Sequence, residues 1–108
     1  MNVHKQVFGK LEDGRQADLI TIENDFGVIC KITNFGGIVT SWKVPDKNGK
    51  PVDIILGWDD LESFISDTSY LGAIIGRYCN RIANGIFTLE DVNYQLAVNQ
   101  PPNHLHGG

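Results

Sequence analysis

Between Gly76 and Ile82 the sequence reads Gly-Arg-Tyr-Cys-Asn-Arg-Ile, which gathers the guanidinium groups of Arg77 and Arg81 and the carboxamide of Asn80 beside an Asn84-Gly85 turn. A guanidinium offers a fixed fork of donors, and a carboxamide offers both a donor and an acceptor. Together they match the adjacent hydroxyls of a polyhydroxylated ligand. The plainer account of either arginine is a solvated or salt-bridged strand end. Further on, His104 and His106 stand at i and i+2, a spacing that on a strand points both imidazoles to one side. Such a pair could open a cupin-like metal site, but that site also needs a third His and usually a Glu. Otherwise one imidazole serves as a hydrogen-bonding or proton-transferring group in a polar cleft. The stiff Pro101-Pro102 loop and the close backbone approach allowed by Gly107-Gly108 would place it. For His104 a structural or exposed histidine is the plain alternative.

Other candidate groups have bland explanations. Asp59, Asp60, Glu62 and Asp67 could suggest the carboxylate pair of a glycoside hydrolase, yet the first three are accounted for by helix capping and a solvated turn. Trp42 lies on an apolar strand face and is expected in the core, whereas Trp58, beside Gly57 and the acidic turn, could stack on a sugar ring or simply pack. Cys79 has no neighbouring His or helix N-terminus to activate it and reads as a small packed residue.

The elements that position these groups follow an all-β rhythm. A polar leader is expected to end near Arg15, followed by strands over Leu19–Ile22 and Val28–Thr33. In the latter, Val28, Cys30 and Ile32 alternate with Ile29, Lys31 and Thr33. The Asn34-Phe35-Gly36-Gly37 turn leads into Ile38–Val44, which Pro45 stops. Asn48-Gly49 folds the chain back along Val52–Leu56 as a hairpin. Asp59-Asp60-Leu61-Glu62 offers an acceptor side chain at an N-cap and a carboxylate three residues on, which suits one short helical turn through Phe64, the only helix expected. Strands over Tyr70–Ala83, Ile86–Leu89 and Asn93–Val98 complete the pattern, and Asn99 to His104 forms a rigid loop.

Composition bounds the partners. The 108 residues contain nine Lys+Arg and thirteen Asp+Glu, a net charge of −4 with both signs scattered, so neither nucleic acid nor an anionic membrane is an expected partner. Cys30 and Cys79 lack CxxC spacing, and reduced thiols in a cytoplasmic protein are expected. No apolar leader or membrane-length apolar run is present, which reads as a soluble, non-secreted chain. The ending Leu105-His106-Gly107-Gly108 lacks a charged or frayed tail, and we expect a domain cut at that point.

The order of the segments resembles the N-terminal part of the galactose mutarotase / aldose 1-epimerase family. The likeness runs from about Asp18 onward, and its densest motifs are Gly76-Arg77-x-x-Asn80-Arg81-Ile82 and Asn103-x-Leu105-His106-Gly107-Gly108. It implies a large antiparallel β-sandwich, the galactose mutarotase-like supersandwich, of which residues 1–108 are the N-terminal portion of one truncated domain. It also implies that Asn80, Arg81 and His106 bind the substrate, an aldohexose such as galactose or glucose whose α and β anomers interconvert by acid–base ring opening and closure. No catalytic residue falls within the chain, because the acid His and base Glu are expected beyond Gly108. No cofactor and no metal are implied, and the chain alone is expected to be inactive. A non-catalytic carbohydrate-binding module, or a sugar-phosphate epimerase relative using Arg77 as an additional cation, are the alternatives. Two positions depart from the family pattern. Cys79 replaces a common Ala, and Asp91 replaces a hairpin Gly at a local cost of about 1 kcal/mol.

Overall fold

The segment read as a polar leader is a strand. In the computed structural model, which describes all residues from Met1 to Gly108, β1 (Asn2–Lys10) pairs antiparallel with β2 (Gln16–Glu23), placing Lys5 opposite Ile20 and Gln6 opposite Leu19. Its weak amphipathicity hid it: every residue from Asn2 to Val7 is exposed, so the strand is specified by pairing more than by burial. A salt bridge of 2.8 Å from Lys5 Nζ to the Asp18 carboxylate crosses the pair.

The chain divides into two compact units, Met1–Ile74 and Ile75–Gly108. The first holds a five-stranded antiparallel sheet in the order β1-β2-β3-β4-β5, with β3 at Ile29–Thr33, β4 at Val39–Pro45 and β5 at Pro51–Asp53. Side-chain acceptors close its turns. Asn24 Oδ1 accepts from the N–H groups of Phe26 and Val28, and Asp46 Oδ1 accepts from those of Asn48 and Lys50 at 2.8 Å each. The helix α1 (Leu61–Ser66) begins where expected and runs two residues beyond Phe64; Asp60 caps it by accepting the Ser63 N–H at 2.8 Å. Glu62 therefore does not complete a capping box, since Ser63 occupies the third position after the cap. Buried Leu61 and Phe64 anchor α1 to β1. Phe64 meets the Phe8 ring at 6.1 Å, and Leu61 lies where a Cβ on Gly9 would come within 2.7 Å of its Cδ2.

Two further expectations fail in this unit. The strand expected over Val52–Leu56 ends at Asp53, because the Asp53 carboxylate turns back to accept from Ser41 Oγ and from the N–H groups of Trp42 and Ile55. Trp42 is 42% exposed and not in the core. The register explains why: Ile22, Cys30 and Trp42 share one sheet face, while the buried Leu19, Thr33 and Ser41 share the other.

The long strand expected over Tyr70–Ala83, a segment that begins in the first unit and ends in the second, does not form. Positive φ at Tyr70, Gly72 and Asn80 interrupts the extended run, and only β6 (Arg81–Ile82) joins a sheet. It pairs with β9 (His104–Leu105), Arg81 facing Leu105 and Ile82 facing His104. After a single 3-10 turn over Ala83–Gly85, β7 (Ile86–Leu89) and β8 (Val92–Gln95) form a hairpin. Its turn residues Glu90 and Asp91 have φ of 49° and 61°, the left-handed pair that two-residue hairpin loops require. Phe87 stacks on Tyr94 at 5.1 Å across the ladder. Both units are built from antiparallel strands, so the all-β class is borne out. No helix is long and apolar enough to cross a membrane.

Candidate functional site

The three residues singled out as substrate-binding meet where β6 and β9 begin and end. Asn80 precedes β6, Arg81 opens it, and His106 follows β9. Asn80 and His106 each adopt a positive φ, 63° and 57°, so the chain bends sharply on both sides of the two-residue ladder. Two bonds join the bends. The Asn80 N–H donates to His106 Nδ1 at 3.0 Å, and the His106 N–H donates to the Asn80 carbonyl at 3.0 Å. An Nδ1 that accepts a hydrogen bond carries no hydrogen, so the neutral His106 ring has its proton on Nε2.

His104 has the opposite tautomer. Its Nδ1 lies 2.7 Å from the Ala97 carbonyl, which can only accept, so the hydrogen resides on Nδ1. It is also buried, at 5% exposure. The expectation that both imidazoles point to one side is overturned, because β9 stops at Leu105 and His106 lies beyond it at positive φ. No three His, Cys, Asp or Glu side chains come together as a metal would require.

Arg81 is held by two acceptors. Its Nε donates to Gln100 Oε1 at 2.7 Å, and its Nη1 lies 3.5 Å from Asn80 Oδ1, which also takes the Arg81 N–H at 2.9 Å. That leaves Asn80 Nδ2 without an acceptor and Arg81 Nη2 as an unengaged donor on the same cluster. Beside the cluster is an open cavity of about 710 Å³, into which Arg77, Arg81 and His104 bring polar groups among apolar Ile82, Phe87 and Leu96. Asn80 and His106 stand next to this cavity and are not part of its lining.

The loop that shapes the site was legible only as a stiff segment. Asn99 clamps the backbone of Leu105 from both sides, donating Nδ2 to its carbonyl at 2.9 Å and accepting its N–H on Oδ1 at 2.7 Å. Gln100 and Asn103 exchange backbone bonds around Pro101-Pro102. Neither Asn99 nor Gln100 carries a sequence signal that distinguishes it from an ordinary polar loop residue.

The acidic residues of the first unit do not form a hydrolytic pair. The Ser63 N–H, reinforced by the Ser63 hydroxyl, holds the Asp60 carboxyl below its usual range, and the Ser69 N–H does the same for Asp67 together with the Leu71 N–H and the indole of Trp58. A general acid needs the reverse shift. Trp58 is 45% exposed, with its indole near the Asp67 carboxylate. Cys79 is exposed, and burial raises the Cys30 thiol above its ordinary pKa, away from nucleophilic use.

Fold and site together define an antiparallel β protein with a donor-rich cleft between a short ladder and a hairpin. The chain belongs to the aldose 1-epimerase family, whose sequence profile matches residues 18–108. It is 38% identical over 109 residues to galactose mutarotase from Bos taurus, covering 100% of this chain and 32% of that protein. It is 34% identical over 96 residues to aldose 1-epimerase from Escherichia coli K12, covering 89% and 28%. Among solved structures, an aldose epimerase homologue from C. elegans superposes with a TM-score of 0.75 at 35% identity, over 85% of this chain and 28% of that one. The galactose 1-epimerase of Lactobacillus acidophilus gives 0.73 at 26% identity, over 99% and 30%. The chain spans about a third of the length of the curated relatives it matches.

Proposed function

We propose that this chain is the substrate-gripping, N-terminal portion of a single aldose 1-epimerase domain that interconverts the α and β anomers of hexoses such as galactose and glucose in the cytoplasm. The supporting observation is the cluster of Asn80, Arg81 and His106, in which a main-chain bond and a main-chain-to-imidazole bond tie Asn80 to His106, and the three side chains bring donors of three chemical kinds. Mutarotation removes the proton of the anomeric hydroxyl and protonates the ring oxygen; the C1–O5 bond opens, the aldehyde turns, and the ring closes on the other face. The family's acid His and base Glu are residues we place outside these 108. The residues here contribute alignment. Asn80 Nδ2 and the Arg81 guanidinium fix sugar hydroxyls, and the Nε2 hydrogen of His106 is directed to the ring oxygen or a hydroxyl next to it.

Two measurements test this. In polarimetry with α-galactose, the 108-residue chain should leave the spontaneous rate unchanged, and conversion comparable to a full-length relative would sink the division of labour. Galactose titrated against the ¹⁵N-labelled chain should shift the amide signals of Asn80, Arg81 and His106, and Arg81→Ala should abolish those shifts.

A second reading is favoured by one observation: Arg77 lines the same cavity as Arg81. Two guanidinium groups suit a phosphorylated sugar better than a neutral one. Galactose 6-phosphate binding at least tenfold tighter than galactose, with the advantage lost in Arg77→Ala, would establish it in place of the neutral hexose.

A further inference from the structure

We propose that Gln100 is the positioning residue that fixes the Arg81 guanidinium for sugar binding; this rests on the reading of Arg81 given above. An arginine on a strand end has a long, rotamer-rich side chain, and holding it in one orientation before a ligand arrives removes part of the ordering cost of binding. Gln100 is built to do this. Its backbone is locked on both sides, because its N–H donates to the Asn103 carbonyl at 3.0 Å and its carbonyl accepts the Asn103 N–H at 2.7 Å, closing the turn over Pro101-Pro102. The neighbouring Asn99 ties the same loop to Leu105, the residue paired with Arg81 across the ladder. From that fixed base, Gln100 Oε1 takes the Arg81 Nε hydrogen at 2.7 Å.

The choice of Nε matters. Of the five guanidinium hydrogens, the one on Nε is nearest the chain, and engaging it sets the plane of the group while leaving the outer Nη hydrogens for a ligand. Asn80 Oδ1 approaches only Nη1, and at 3.5 Å it restrains the guanidinium far less. Gln100 makes no other side-chain bond, so its amide serves Arg81 alone.

The test compares the parent chain with Gln100→Ala and Gln100→Glu. In the parent, the Arg81 Nε hydrogen should give a protected signal in ¹H–¹⁵N spectra that exchanges slowly with water. Gln100→Ala should lose that protection and bind galactose about three- to tenfold more weakly, the scale of immobilising one long side chain. Gln100→Glu, whose carboxylate can accept the same hydrogen, should restore both. Unchanged signals for Leu105 and Asn103 confirm that the loop itself has not moved. If Gln100→Ala binds galactose as tightly as the parent, or if Gln100→Glu fails to rescue a loop that is still intact, the role of Gln100 is overturned while the sugar-binding reading stands. If the parent shows no galactose binding, the reading of the site fails, and the role of Gln100 fails with it. The Nε protection would then report a structural bond only.

Discussion

Asn80 and His106 hold each other by two hydrogen bonds, one from the Asn80 N–H to the imidazole Nδ1 and one from the His106 N–H to the Asn80 carbonyl, each 3.0 Å long. Both residues sit at positive φ, outside the ladder that Arg81 and Leu105 form. The imidazole tautomer is thus set by main chain, and the Asn80 carboxamide is left to other work.

This separation can be tested by substituting each residue in turn. Asn80→Gly removes the carboxamide but keeps the N–H and tolerates the positive φ, so the ¹⁵N shifts of His106 should still report hydrogen on Nε2 while galactose binding weakens about tenfold or more. His106→Ala should do the opposite locally. It leaves the Asn80 N–H without its imidazole acceptor, and hydrogen exchange at that amide should accelerate about tenfold. If Asn80→Gly shifts the tautomer, the main chain is not what fixes it.

Gly107 is fixed by space as well as by conformation. Its φ is 94°, and a Cβ there would fall on the carbonyl oxygen of Gly76. Gly107→Ala should therefore destabilise the second unit by about 3 kcal/mol or more, through overpacking added to left-handed strain. Gly49, at φ 79° with nothing near its Cβ position, is the control; Gly49→Ala should cost about 1 kcal/mol. Urea titrations read through amide signals of the second unit for Gly107 and the first for Gly49 would separate the two effects.

What could be read in advance followed local chemistry, and what could not depended on contacts distant in sequence. The Asp46–Lys50 hairpin, the helical turn after Asp60 and the strand β3 are local, and each is found within a residue or two of where the sequence places it, although β3 is half-buried along most of its length instead of alternating. The motif from Gly76 to Ile82 was legible as a donor cluster, and Arg81 does line the cavity. β1 was not legible, because its pattern is mostly polar and its partner β2 supplies the order. The strand expected across Tyr70–Ala83 was read from its apolar residues, and its breaks were missed although two of them fall on Gly72 and Asn80, types that tolerate a left-handed conformation; only Tyr70 gives no such signal. His104 and His106 showed a spacing that only a continuing strand could exploit, and the strand stops between them. The Gln100–Arg81 bond joins residues whose separation no local pattern encodes.

Asp18 makes the first unit sensitive to acid. Lys5 Nζ and then the Gln16 amide donate to its carboxylate and lower its pKa below the ordinary 3.8. A carboxyl with a depressed folded pKa adds stability that is present above its unfolded pKa and lost as pH falls through the folded value. The melting temperature of the parent should hold steady from neutral pH down to about pH 5 and fall below about pH 4. Asp18→Asn should flatten that part of the fall, while Lys5→Met should lower stability at pH 7 and leave it little changed at the acid end. A parent and an Asp18→Asn variant with parallel pH profiles would remove Asp18 from the account.

The second unit exposes an unusual amount of apolar surface for its size. In the β7–β8 hairpin every residue is exposed, including Ile86, Phe87, Leu89, Val92 and Tyr94, and Leu105 is the one buried hydrophobic side chain after Ile75. Contiguous apolar surface on paired strands with open edges drives association. The isolated chain should therefore bind a hydrophobic dye such as ANS and sediment as a concentration-dependent mixture at tens of micromolar, on the order at which exposed strand edges associate. The double substitution Leu89→Lys, Val92→Lys places two like charges opposite one another beside the turn, since Leu89 and Val92 are register partners. It should suppress the association at some cost to the hairpin. Leu89→Lys with Val92→Glu pairs opposite charges instead and should keep the hairpin intact while still reducing association. A parent chain that sediments as a monomer at every concentration, with no dye binding, would show that this surface is too small or too divided to recruit a second copy.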